Sequence, residues 1–394
     1  MKKLNLLVTL SLLAVPSLFM TSCDEGEFKV GLICLHDESS TYDANFIDSM
    51  YRALDNLGLQ RDQLELVTGV NEDNSCYEAA TDLASSCEIV FADSFGHEKY
   101  LLKAAQENED VYFCHSTGTK AHTAGLDNFF NAFASIYEGR YLAGVAAGMK
   151  INEMITNGDI TAEQAKVGYV GAYPYAEVVS GYTAFYLGVK SEVPTATMSV
   201  RYTSSWYNYD KEKSAAEALI DTDKCVLISQ HADSYGAPEA CERKKVPNVA
   251  YNGSTASQCP ETYVISSKID WAPYYELMIK AKMEGTKVNE KDFTGTLATE
   301  SVKLEPIGAC AAKGTEAKLE SVKAQLIAGT LHVFDTNSFT VGGQKLTSYL
   351  ADVDDDGTYV GETEAISDGY FHESEYRSAP YFDLRIDGIT EQNS

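Results

Sequence analysis

The residues that could do chemistry in this 394-residue chain gather where apolar, strand-like runs stop. After "GLICL" come Asp37, Asp43, Asn45 and Phe46, ahead of a helical rhythm. "ADSFGHEKY" supplies Phe95 and Gly96, and "HSTGTK" ends the next run. Later ends read "GAYPYAE" with Tyr173, "TSSWYNYD" with Trp206, "SQHADSYG" with Asp233 and "YNGSTAS" with Asn252. These ends repeatedly set an aromatic beside hydroxyl, amide or carboxylate groups. Facing aromatics hold a flat or ring-shaped ligand by stacking and apolar burial, and short polar side chains add directional hydrogen bonds. An Asp or Asn before a helix is also an ordinary N-cap, and Asp43 is well placed to be one. Seven such ends in one chain favour a binding site over seven coincidences.

Catalytic signatures are weaker. "HEKYL" at 97–101 has Leu101 where a zinc-binding HExxH needs its second His. No GxSxG elbow or Walker A loop occurs, and "GVAAGMK" lacks P-loop spacing. The seven histidines form no ligand cluster, and His36 and His231 read as polar loop residues. One stretch resembles a calcium loop. "DVDDDGTYVGETE" sets Asp352, Asp354 and Asp356 at positions 1, 3 and 5 and Gly357 at position 6. Position 12 requires a bidentate Glu but holds Thr363, so a hairpin turn is the expectation and no metal site is assigned. No cofactor is implied.

Parallel α/β sheets place such strand ends together. Apolar runs at 29–35, 64–70, 88–92 and 110–114 alternate with helical patterns at about 43–57, 76–86 and 97–107. That alternation predicts a parallel sheet covered on both faces. From "IYEGRYLAGVAAGMKINEMI", whose small residues permit close packing, the plan repeats through "VAYNG". Two doubly wound lobes follow, 29–135 and 136–264, with about 265–310 returning to the first. No low-complexity linker separates them, which predicts several crossings instead of one tether. The last 50 residues read as hairpins, with part of 311–394 packing on the second lobe or the hinge.

The ends and composition set the compartment. "MKKLNLLVTLSLLAVPSLFMTSC" is a signal peptide over 1–22, ending in a lipobox-like "MTSC" that marks Cys23 for lipidation and 23–28 as a tether. Pro16 interrupts the apolar run, and no later stretch reaches the length of a spanning helix. The 58 acidic residues against 31 basic ones argue against a nucleic-acid partner, whose phosphates need clustered Lys and Arg. Nine cysteines include Cys23; Cys34, Cys114 and Cys225 sit in apolar runs as small hydrophobes. Cys76 with Cys87, and Cys241 with Cys259, are open to pairing.

Together, "HDESSTYDANF", "IYEGRYLAGVAAGMK", "KVGYVGAYPYAEVVSGYTAFYLGVK", "LISQHADSYGAPEACE" and "SSKIDWAPY" resemble the basic membrane protein family of ABC-transporter substrate-binding lipoproteins. The resemblance implies a type I periplasmic-binding-protein fold, two doubly wound parallel-sheet lobes joined by several crossover segments. It implies no enzymatic activity, an extracytoplasmic monomer anchored to the membrane through Cys23, and an ABC permease with its ATPase as partners. Its best-known members bind purine nucleosides. By the family pattern Asp37 opens the ligand loop, Asp43 precedes the stacking Phe46, and Trp206 supplies the second aromatic. Asn252 falls where an Asp contacts ribose, and Lys268 stands nearest the family lysine. Ile47 replaces the Asn that commonly follows the stacking Phe, with Asn45 close enough to substitute. A ligand sensor of the same fold, or an exported nucleoside- or sugar-processing enzyme, would be the rival readings.

Overall fold

The computed structural model describes residues 27–354 and 359–392. In the first half, short apolar runs form β1 (Val30–Ile33), β2 (Leu64–Val67), β3 (Ile89–Ala92), β4 (Tyr112–Ser116) and β5 (Phe129–Ala134). The second half supplies β6 (Lys166–Gly171), β7 (Thr197–Tyr202), β8 (Leu227–Gln230), β9 (Asn248–Tyr251), β10 (Tyr263–Ile269), β11 (Asp292–Gly295) and β12 (Val302–Leu304). Two sheets result, ordered β11-β5-β4-β3-β1-β2 and β12-β10-β9-β8-β6-β7, the second closed by Ile389–Gln392 alongside β7. Neighbours are parallel except β10 with β12. Fully buried strands such as β1 and β3 are apolar along their length, as a sheet covered on both faces requires.

The helices are α1 (Thr41–Leu57), α2 (Asn74–Ala84), α3 (Glu98–Glu107), α4 (Ile136–Asn157), α5 (Ala176–Glu192), α6 (Tyr209–Asp221), α7 (Gly236–Lys244), α8 (Ala272–Met283) and α9 (Thr315–Ile327). The small residues of α4 serve the close packing their sequence suggests. A Cβ on Gly144 would lie 2.0 Å from the Phe185 carbonyl oxygen, and one on Gly188 2.2 Å from that of Tyr141. Only glycine at these positions lets α4 and α5 approach so closely. Cys76, Cys87, Cys241 and Cys259, for which pairing was open, are free thiols.

The chain passes between the sheets after β5, after β10 and between β11 and β12. Of the stretch 265–310, β10 and β12 lie in the second sheet, while β11 lies in the first and α8 packs against α1. Asp270 ties two of these crossings to α1. It takes a bidentate pair from Arg52 at 2.7 and 2.9 Å and a third bond from Lys303 at 2.7 Å. Burial opposes its charge, but the Arg52 and Lys303 bonds outweigh that and hold the carboxyl down at about 2. Charge-assisted bonds of this kind fix orientation as well as contributing energy. Beside them, Asn45 Nδ2 donates to the Ile269 carbonyl at 2.6 Å.

The segment after α9 contains two short ladders, Leu350–Ala351 with Thr363–Glu364 and Ile366–Ser367 with Tyr370–Phe371. Its own aromatic core includes Phe334 stacked on Phe382 at 4.2 Å. It docks on both lobes. Ser378 Oγ donates to Asp292 Oδ1 at 2.7 Å near β11, and Ser180 Oγ of α5 donates to Glu373 Oε1 at 2.5 Å.

Candidate functional site

Between the lobes, at the carboxyl ends of their strands, lies a cavity of about 390 Å³. This is where open parallel sheets present ligand sites. The first lobe contributes Leu35 and His36 after β1, Tyr42 and Asp43 from the first turn of α1, Ser94 and Phe95 after β3, and Thr117 after β4. The second contributes Glu177 from α5, Trp206 after β7, His231 and Asp233 after β8, and Tyr251 at the end of β9. Thr117 holds φ +73°, a left-handed backbone that a β-branched residue rarely adopts. Such strain persists where the surroundings over-determine it, as at ligand sites.

The lobes touch at the rim. Thr41 donates its amide and its hydroxyl to the Asp233 carbonyl, at 3.2 and 3.0 Å. His36 lies 5.4 Å from Tyr207 between ring centroids, and Phe95 5.9 Å from Tyr175. Ser40 caps α1 by accepting the Asp43 amide, so Asp43 is freed from capping and faces the cavity.

The site is acidic, and its carboxyls differ in state. Burial opposes the Asp43 charge, but hydrogen bonds from His36 and Ser40 outweigh it and keep the carboxyl below its usual range. Asp93, fully buried beneath it, is pushed well up by burial and by the Asp43 charge. Of the two, Asp43 ionises the more readily. Cys34 brings its sulfur to within 4.8 Å of both carboxylates. Burial raises that thiol, which stays protonated. Asp233 is raised by burial and by Glu212, Asp43 and Glu177, with Arg140 opposing.

His231 has a defined tautomer. Arg140, fully buried in α4, donates to the Gln230 carbonyl at 3.0 Å and to His231 Nδ1 at 3.1 Å, and packs 3.3 Å from the Tyr251 ring centroid. A guanidinium only donates, so Nδ1 accepts and Nε2 keeps the proton, which faces Glu177 Oε1 at 3.3 Å. Burial, with the Arg140 charge adding to it, lowers the imidazole and keeps it neutral.

The ten residues expected at the site are divided by the structure. Asp43, Phe95, Trp206 and Asp233 line the cavity. Tyr173 stands behind it, stacked on Tyr175 at 5.2 Å and edge-on to Trp206 at 5.2 Å. Phe46, expected as the stacking platform, lies in the core, fully buried and stacked on Trp271 at 4.3 Å. Because α1 already begins at Thr41, the first-turn residue Tyr42 reaches the cavity and Phe46, one turn on, faces the sheet. Asn45 is spent on the β10–α8 crossing. Asp37 is exposed and accepts from Ser39 N at 3.0 Å in a local turn. Asn252, at φ +62°, is buried beyond Tyr251, and its Nδ2 lacks a partner among the described residues. Lys268 points away along β10 to pair with Glu305.

His36 and His231, read as loop residues, are cavity walls, as are Tyr42, Glu177 and Tyr251. Glu177 and Tyr251 fall inside the quoted strand ends "GAYPYAE" and "YNGSTAS", which was the available signal. In the acidic turn, Asp352, Asp354 and Glu362 bring carboxylate oxygens within 4.8 Å of one another. Glu362 Oε1 accepts the Val353 amide at 2.8 Å, as a turn brace does. Cys23, Asp356 and Gly357 lie outside the described residues.

Two acids give the fold a pH signature. Glu212 accepts the Asn208 and Ser234 amides beneath the Asp233 loop, and Glu373 accepts from Ser180; burial pushes each up to about 7, from an ordinary 4.5. Between those values the folded state binds more protons, so stability falls as pH rises and the penalty is complete above pH 7. These two acids therefore contribute a fall in melting temperature from pH 5 to pH 8, against which His97 and His231, lowered by burial, contribute a rise at the acid end of that range. Glu373→Gln should reduce that fall in calorimetric scans, and an unchanged pH dependence would contradict the assignment.

Comparison with known proteins agrees with this geometry. Residues 30–324 match the Bmp family, described as ABC transporter substrate-binding protein PnrA-like. A purine-binding protein of Brucella abortus is 29% identical over 282 residues, 68% of this chain and 76% of that one. A putative ABC transporter glucose-binding protein of Haloferax volcanii is 29% identical over 252 residues, 64% of this chain and 60% of that one. Among solved structures, an ABC transporter solute-binding protein from Conexibacter woesei shares the fold at TM-score 0.63 and 20% identity, covering 78% of this chain and 98% of its own. One from Aeropyrum pernix does so at TM-score 0.65 and 14% identity, covering 78% and 93%. No helix among the described residues is long and apolar enough to cross a membrane. The two parallel-sheet lobes and the matched span identify the chain as a member of the Bmp family of ABC-transporter substrate-binding proteins, with the type I periplasmic-binding-protein fold.

Proposed function

We propose that the protein is a solute receptor of an ABC importer that holds a purine nucleoside, or a similar donor-rich ring compound, in the interlobe cavity. One observation carries this reading: aromatic side chains from both lobes, Tyr42 and Phe95 with Trp206 and Tyr251, line the cavity beside three acidic side chains, Asp43, Glu177 and Asp233. No Lys or Arg is among the described lining residues. Carboxylates accept hydrogen bonds, so the complementary ligand donates them, as ribose hydroxyls and purine N–H groups do. A phosphate would meet like charge with no Lys or Arg among the described lining residues to offset it. The purine-binding relative supports the same ligand class.

In this reading the lobes close over the ligand by hinge motion about the Asp270 crossings, and the closed form docks on a permease driven by its ATPase. Cys23 carries the lipid anchor. Calorimetry with adenosine, guanosine, inosine and glucose tests the ligand class. Tight binding of at least one nucleoside is expected, with the matching nucleoside monophosphate at least tenfold weaker; binding of glucose alone would overturn the nucleoside assignment. Cys23→Ala should release the protein from membranes without altering affinity. Retention of that variant in the membrane fraction would overturn the anchor.

A further inference from the structure

Beside the interlobe cleft lies a second, larger cavity of about 1020 Å³. The two meet at Phe95, Thr117 and Glu177, which line both. Past that junction the inner wall carries Tyr175 and Ala176 of the second lobe, and the outer wall carries Arg377, Tyr381 and Asp383. The outer wall comes wholly from residues beyond 324, where the family match ends. Its position is braced from both sides. Ser378 is bonded to Asp292 at 2.7 Å, the Ser374 carbonyl accepts from Thr294 at 3.4 Å, and Glu373 accepts from Ser180 at 2.5 Å. The C-terminal segment is thus built into the mouth of the cleft.

The chemistry of this cavity defines what it accepts. Tyr175, stacked on Tyr173 and 5.9 Å from Phe95, is still 48% exposed, and Phe95 41%, so aromatic surface remains open to a ligand. Glu177 lines the junction, and Asp352 and Asp383 line the far part, where Asp383 accepts from the Tyr349 and Tyr359 hydroxyls at 2.5 and 2.6 Å. Arg377 donates to the carbonyls of Val353, Ala379 and Pro380, at 2.9, 3.1 and 3.2 Å. Three acidic side chains against one guanidinium disfavour an anionic group and favour an uncharged one.

We propose that the cleft and this cavity form one elongated site for a two-ring solute. The first ring sits against Trp206, and an uncharged glycosyl unit reaches past Phe95 and Glu177 to lie against Tyr175. The inference rests on the reading that the cleft itself holds a ring compound. Selectivity for glycosylated over simple ligands then comes from the segment after α9.

Calorimetry on the full mature chain provides the test, using adenosine and adenosine bearing one glucosyl unit on its 2′, 3′ or 5′ oxygen. One regioisomer is expected to bind at least tenfold tighter than adenosine. Ala176→Trp, which fills the second cavity, should erase that gain while adenosine affinity stays within twofold. If adenosine binds and every glucosylated isomer binds more weakly, the two-ring proposal is overturned and the cleft reading stands. Equal loss of both ligands in Ala176→Trp would also overturn it, because the cavities would then not act separately. If neither adenosine nor any isomer binds, the cleft reading fails with it.

Discussion

Phe46→Ala is expected to destabilise the protein by about 3–5 kcal/mol, the usual cost of removing a fully buried Phe. The ring is fully buried, stacks on Trp271 at 4.3 Å and touches Tyr42 at 4.9 Å. Its loss would open a cavity beneath the first turn of α1, at the crossing that Asp270 and Arg52 hold. Thermal melting should fall by on the order of ten degrees. Ligand affinity measured well below that melting point should change only a few-fold, because Phe46 does not line the cleft. A variant that melts like the wild type but binds tenfold more weakly would return Phe46 to the ligand and contradict its place in the core.

Trp206→Ala should behave in the opposite way. Trp206 is partly exposed in a loop after β7 and is backed by Tyr173, so its removal leaves the sheet intact. Stacking a base on an aromatic contributes about 1–3 kcal/mol by alanine substitution, and each 1.4 kcal/mol is a factor of ten in affinity. Binding should therefore weaken about tenfold to a hundredfold, with melting temperature nearly unchanged in the absence of ligand. Titration calorimetry beside a melting scan separates these effects. Unaltered affinity in a folded Trp206→Ala protein would remove the aromatic wall from the account.

The alternation of apolar runs and helical patterns made the two-lobed α/β architecture legible, because fully covered parallel strands must be apolar throughout. Trp206, Asp233, Asp43 and Phe95 were legible for a related reason: loops after strands carry the site in such sheets. Phe46 shows where the reading stopped. Tyr42 and Phe46 lie one turn apart on the same face of α1, and only the tertiary packing decides that the first ring meets the cleft while the second meets Trp271. His231 and Glu177 were hidden differently. Their role depends on Arg140, from a helix distant in sequence, which sets the imidazole tautomer. The segment after α9 lacked a periodic signal because its ladders are only two residues long and its core is made by aromatic stacking.

The chain has two tryptophans, and the structure puts them in opposite surroundings: Trp271 sealed in the core and Trp206 on the cleft. Intrinsic fluorescence can therefore report on the cleft alone. Titration of the wild type with adenosine, guanosine and inosine should give a saturable change with at least one of them. The change should vanish in Trp206→Phe, which still binds by calorimetry because it keeps an aromatic face. A saturable signal that persists undiminished in Trp206→Phe, or calorimetric binding that leaves Trp206 emission unmoved, would contradict a ligand held between the lobes.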